Sequence, residues 1–215
     1  MISTNAREKV RAKKIFDILL KEFPDARPAL EYSNPFQLLI ATILSAQCTD
    51  ARVNIVTKEL FKKYKEPKDF LNVPLQKLEK EIFSTGFYRQ KAKSIKSCCK
   101  FLVEKYDGKV PKEFDLLTQL PGVGRKTASV IAGNAFGIPS IAVDTHVKRL
   151  SNLLGFINSS DATKIEFRLK ELLPKKYWIV SGHLLMNHGR KTCIANRPKC
   201  HECIISKFCP SKKSS

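Results

Sequence analysis

The sequence predicts an all-α protein, and three observations carry that expectation. Apolar residues recur every three to four positions in segment after segment, as in Ile165, Leu169 and Leu172. No stretch alternates apolar and polar residues over strand length, and no tight turn joins two β-like runs. Proline, asparagine, aspartate and glycine stand where helices would start and stop.

Each element rests on that pattern. Residues 7–22 read as a helix with Val10, Ile15, Ile18 and Leu19 inward, ended by Pro24 and Pro28. Asn34-Pro35-Phe36-Gln37 is a helix start, with Asn34 as N-cap and Pro35 at the first helical position. Residues 38–44 are almost wholly apolar, which predicts a helix buried on all sides. It breaks at Ser45-Ala46-Gln47-Cys48, after which Thr49 or Asp50 can cap a helix bearing Val53, Val56, Leu60 and Phe61.

Pro67 and Pro74 bracket a short connector, then a helix carries Leu75, Leu78, Ile82 and Phe83. The loop Thr85-Gly86-Phe87-Tyr88 precedes a helix over 89–106, and a short helix starts near Lys112. After Gly137-Ile138-Pro139, which reads as a domain boundary, Asp144 can cap a helix stopped by Gly155. Two more helices come after it, one marked by Leu172 and Leu173 and one over 178–187. Residues 211–215 read as a frayed tail.

With 215 residues and 43% hydrophobic content, the chain can form one large or two small domains. Lys plus Arg number 39 against 20 acids, a net +19 that favours a polyanionic partner. No apolar run approaches 18 residues, and the N-terminus is dotted with Lys and Arg at helical spacing. A soluble, intracellular protein is expected.

The stretch Leu120-Pro121-Gly122-Val123-Gly124-Arg125-Lys126-Thr127-Ala128 feeds a glycine-rich turn into a helix. Gly122 and Gly124 would permit the positive φ angles of a tight hairpin. Helix N-terminal N–H groups and the dipole would then grip one phosphate, with Lys126 beside it. A plain helix–turn–helix corner with a solvated lysine would share the pattern.

Of seven cysteines, Cys48, Cys98 and Cys99 lie in apolar helical patterns and read as core residues. Cys193, Cys200, Cys203 and Cys209 are spaced C-x6-C-x2-C-x5-C. Four thiolates suit zinc or a [4Fe–4S] cluster. The single C-x2-C and wide outer gaps favour the cluster. Arg197 and Lys199, between ligands on a proline-stiffened loop, read as phosphate contacts or as ordinary solvated charge.

Leu44-Ser45-Ala46-Gln47, the hairpin, Ile141-Ala142-Val143-Asp144-Thr145-His146 and the cysteine spacing occur in that order. With them the chain resembles, over nearly its whole length, the bacterial endonuclease III family. These are bifunctional DNA glycosylase/AP lyases of the helix-hairpin-helix superfamily. The resemblance implies a six-helix barrel over 28–138 and a [4Fe–4S] cluster domain over 139–215 that takes in the helix of 1–27. The active site would lie in the cleft between them.

By the same resemblance Lys126 is the amine nucleophile and Asp144 the essential carboxylate. Gln47 fills the gap left by an extruded base, and Phe87 wedges the opposite strand. Gly122, Val123, Gly124 and Arg125 contact DNA along the hairpin, and the four cysteines hold the cluster. Phe87 stands where many relatives have Leu, and Cys48 where Ala is common. The implied partner is duplex DNA carrying damaged pyrimidines or abasic sites, bound by a cytoplasmic, nucleoid-associated monomer.

The chemistry is coherent with these residues. An amine can release a base and form an imine, which then permits strand cleavage by β-elimination. A lysine of ordinary pKa is only ~0.1% neutral at pH 7.4, so desolvation or proton transfer must assist. His146 reads as a structural hydrogen-bonding residue. Alternatives are a mismatch adenine glycosylase, which lacks the hairpin lysine, and a pyrimidine-dimer glycosylase. A non-catalytic DNA-binding module is the third; it would not need Lys126 and Asp144 together.

Overall fold

A computed structural model describes residues 4–213. Eleven α-helices, α1 (Thr4–Glu22), α2 (Pro35–Leu44), α3 (Asp50–Lys63), α4 (Pro67–Asn72), α5 (Leu75–Glu81), α6 (Tyr88–Tyr106), α7 (Phe114–Gln119), α8 (Arg125–Phe136), α9 (Thr145–Leu153), α10 (Ala162–Leu172) and α11 (Trp178–Lys191), occur among them with three 3-10 turns. No strand occurs among the described residues, so the all-α expectation holds. Ser214 and Ser215, part of the expected frayed tail, lie outside them.

The chain divides into two compact units, Pro28–Ile138 and a second formed by Met1–Arg27 with Pro139–Ser215. In the first, α2 is the axis. Asn34 Oδ1 accepts from Gln37 N at 2.9 Å, the anticipated N-cap, and Leu38 through Leu44 are buried. That helix packs against α3, α6 and α8. Full burial matches its near-absence of polar positions.

Between Pro67 and Pro74 the chain departs from expectation: the span is helix α4, where the two prolines suggest a connector. Pro67 occupies the first helical position, and Asp69 Oδ2 accepts from Lys65 N (2.8 Å) and Glu66 N (3.1 Å). Phe70 is fully buried, and Lys96 on α6 donates to the carbonyls of Leu71 and Val73 at its far end. Proline starts this helix instead of breaking it.

The second unit packs α1 on α10 and α11, and α9 on both as well. Its α1 buries Ala12, Ile15, Phe16 and Leu19, an i, i+3, i+4, i+7 stripe. Val10, expected inward, is 53% exposed because it lies off that stripe. Arg11 donates to Leu154 O (2.8 Å) and Phe208 O (2.9 Å), tying α1 to the end of α9 and to the cysteine loop. Gly155 ends α9 at φ 66°, as anticipated.

Candidate functional site

The hairpin between α7 and α8 forms as expected, with one change of detail at Gly124. Gly122 has φ 80°, and a Cβ there would come within 2.9 Å of Ser94 Cβ. Glycine is therefore required twice over, by backbone angle and by space. Gly124 is instead extended at φ −85°, and a Cβ there would meet nothing within 4 Å. Its use is to leave the N-terminus of α8 bare, with no capping side chain.

A pair of alanine substitutions separates these roles. Gly122→Ala is expected to lower unfolding stability by about 1–3 kcal/mol in urea titrations. Gly124→Ala should stay within about 0.5 kcal/mol of wild type. Equal losses would contradict the assignment.

Val123 turns its side chain inward. It is 5% exposed in the core of its unit, and its N–H donates to Leu120 O at 3.0 Å. Its role is to anchor the turn. Arg125 and Lys126 are exposed in the first turn of α8, Arg125 with its guanidinium 5.0 Å from the Phe114 ring centre. Amides at a helix N-terminus have no intrahelical acceptor, which suits an anion.

Gln47 and Phe87 lie in the same unit, on the two loops after α2 and after the 3-10 turn Phe83–Thr85. Both are exposed, Phe87 at 65%. Both adopt left-handed backbone, with φ 52° at Gln47 and 48° at Phe87, a conformation non-glycine residues rarely take. Phe83, expected on an inward helical face, is 62% exposed and rests on the Tyr88 ring at 4.9 Å. The helix stops at Glu81, so the 3.6 period no longer applies there. Cys98 and Cys99 are core as expected, burial pushing the Cys98 thiol up to about 12, whereas Cys48 is only half-buried.

Asp144 belongs to the second unit. It caps α9, Oδ1 accepting from Val147 N at 2.8 Å, and stays half-exposed. Gly182 lets α11 approach the segment leading into α9, since a Cβ there would lie 3.0 Å from Ala142 O. His183, one residue on, comes near enough that the Asp144 charge opposes the downward pKa shift imposed by burial. Sequence spacing assigns His183 no role, because its neighbour is 39 positions away. His146 differs from expectation: its Nδ1 is buried without a hydrogen-bond partner, pressed on Gly189.

Cys193, Cys200, Cys203 and Cys209 all line one cavity of about 240 Å³. Arg149 Nη1 reaches Cys193 Sγ at 3.7 Å and Nη2 donates to Cys193 O at 2.6 Å. His188 Nε2 lies 3.6 Å from Cys203 Sγ. Among the described residues, no group of three His, Cys, Asp or Glu is set to hold a single metal ion. Arg197 and Lys199 are exposed on the loop between ligands, Lys199 within 3.6 Å of Glu202.

Residues 40–175 match the HhH-GPD superfamily of base excision DNA repair proteins. Endonuclease III of Bacillus subtilis (strain 168) is 50% identical over 188 residues, covering 87% of this chain and 86% of that one. The chain belongs to the endonuclease III family.

Solved structures agree. A trapped endonuclease III–DNA covalent intermediate, an estranged-adenine complex, superposes with TM-score 0.91 at 47% identity, covering 95% and 96% of the two chains. A thermostable thymine-DNA glycosylase gives 0.85 at 26% identity, covering 94% and 96%. Membership in the endonuclease III family makes this an enzyme of base-excision DNA repair, a DNA glycosylase and AP lyase. Among the described residues no helix is long and apolar enough to cross a membrane.

Proposed function

We propose that the protein extrudes oxidised or otherwise damaged pyrimidines from duplex DNA, excises them through Lys126, and nicks the strand 3′ to the lesion. The observation that carries this reading is Lys126 in the first turn of α8, directly after a hairpin whose Gly124 leaves that helix N-terminus without a capping side chain. A trapped covalent intermediate in a relative at 47% identity supports an attacking side chain.

The Lys126 amine attacks C1′, and the C1′–base bond breaks. Loss of the amine proton and opening of the sugar leave an imine. The imine acidifies the C2′ proton, whose removal expels the 3′ phosphate oxygen. Asp144 stabilises positive charge developing on the sugar and relays protons. In this reading Lys126 and Asp144 act on the same nucleotide. Gln47 hydrogen-bonds the orphaned base and Phe87 stacks beside it, offsetting part of an extrusion cost of a few kcal/mol. The enzyme works in the cytoplasm as a monomer at the nucleoid.

The four cysteines fit a [4Fe–4S] cluster. All four line one apolar-walled cavity too large for one ion, and Arg149 Nη1 lies 3.7 Å from Cys193 Sγ. Bound there, the cluster would tie the loop carrying Arg197 and Lys199 to α9 and α11. Anaerobically purified protein should be yellow-brown with about four irons per chain. One zinc and no iron would contradict the assignment.

Arg197 and Lys199 contact the DNA backbone in this reading. The Lys199–Glu202 pair is exposed and adds little to hold the lysine away from a phosphate. Replacing both by Ala should weaken binding to damaged and undamaged duplex alike, and flatten log K against log salt by roughly 0.9 per lost contact. An unchanged slope would show ordinary solvated charge.

Product analysis on duplexes with single defined lesions tests the whole reading. Base release and then a 3′ nick at an oxidised pyrimidine are expected. Activity confined to thymine mismatches or to pyrimidine dimers would replace it.

A further inference from the structure

A lysine side chain seldom goes below the surface without partners. Lys91, in the first turn of α6, is 5% exposed, and burial draws its pKa down. Its Nζ donates to Leu44 O and to Thr85 O, each at 2.7 Å. Leu44 is the last residue of α2, and Thr85 the last of the 3-10 turn. One ammonium thus joins the ends of two elements about forty residues apart in sequence.

Both carbonyls stand just before an exposed residue of the DNA-facing set. Three residues beyond Leu44 is Gln47, and two beyond Thr85 is Phe87. Both hold left-handed backbone, which a Cβ disfavours, and both point into solvent. Neither the strain nor the exposure serves the core of this unit. Capping the carbonyl end of α2 would account for one bond. It would not account for the same ammonium taking Thr85 O from the other loop.

We propose that Lys91 is a positioning residue that sets the separation of the two loops bearing Gln47 and Phe87, so that both enter the duplex as one rigid pair. The proposal rests on the gap-filling reading of those two residues. Lysine suits the task because its three donors radiate from one atom and can serve carbonyls on separate elements. The planar fork of arginine favours a single bidentate partner.

The test is a double-mutant cycle read as single-turnover excision of an oxidised pyrimidine from duplex. In wild type, Lys91→Met should slow excision about tenfold or more. In a Gln47→Ala/Phe87→Ala background, itself slowed, the same change should cost less than about threefold. Borohydride trapping on a single-stranded abasic oligonucleotide, where no gap needs filling, should stay within about twofold of wild type. Equal losses from Lys91→Met in both backgrounds, or loss of single-strand trapping, would overturn the proposal and leave Lys91 a structural residue. A Gln47→Ala/Phe87→Ala enzyme as fast as wild type would overturn the gap-filling reading instead. Should Lys91→Met not fold, Lys91→Gln, with two donors on a shorter arm, carries the same cycle.

Discussion

Lys126→Gln is expected to lose both base excision and the borohydride-trapped adduct while still binding damaged duplex. Lys126 is exposed in the first turn of α8, so the change should leave stability within about 0.5 kcal/mol. Binding should survive because the phosphate grip belongs to backbone groups around Gly124, which the substitution leaves in place. Glutamine has no amine to form an imine, so the loss of trapping should be complete. Normal trapping in this variant would move the nucleophile elsewhere. Loss of binding together with activity would assign Lys126 to recognition.

Asp144→Asn should excise more than a hundredfold more slowly, a loss of roughly 3 kcal/mol of transition-state stabilisation. Asparagine can still accept from Val147 N, so the cap on α9 and the fold should be retained. Asp144→Ala is the control: it should lose the same activity and a further ~0.5–2 kcal/mol of stability through the missing cap. Measuring unfolding and single-turnover rates on both variants separates the carboxylate's charge from its capping bond. If Asp144→Asn were nearly as fast as wild type, the charge would have no catalytic role and the residue would be a cap alone.

The features legible in the sequence are mostly local. The Asn34 cap, the Asp144 cap, the buried run of α2 and the turn at Gly122 each depend on residues within a few positions of one another. Local patterns mislead where two principles compete. Pro67 has the look of a breaker yet occupies the start of α4, and the spacing of Phe83 suggests a helical face just past the end of α5. Gly124 carries the same glycine signal as Gly122, but only Gly122 of the pair adopts a positive φ.

The features hidden from sequence are tertiary. Lys91 reaches Leu44 across 47 positions, and nothing in the run Arg89-Gln90-Lys91-Ala92 marks that lysine as buried. His183 beside Asp144, and Arg149 beside Cys193, likewise need the packing of α9 against its neighbours. Val123 sits inside a motif of exposed residues, and only the packed turn shows it facing the core.

Peptide mapping decides whether Lys126 is the amine that bonds to the sugar. Wild-type protein is mixed with a duplex containing one abasic site, reduced with borohydride, and digested with nuclease and then trypsin. A modified Lys126 resists tryptic cleavage, so the adduct should appear on the peptide spanning 126–148, which has no other lysine before its C-terminal Lys148. Sugar-derived mass located on Lys126 is the predicted result. The same mass on the N-terminal amine or on any other lysine would contradict the assignment.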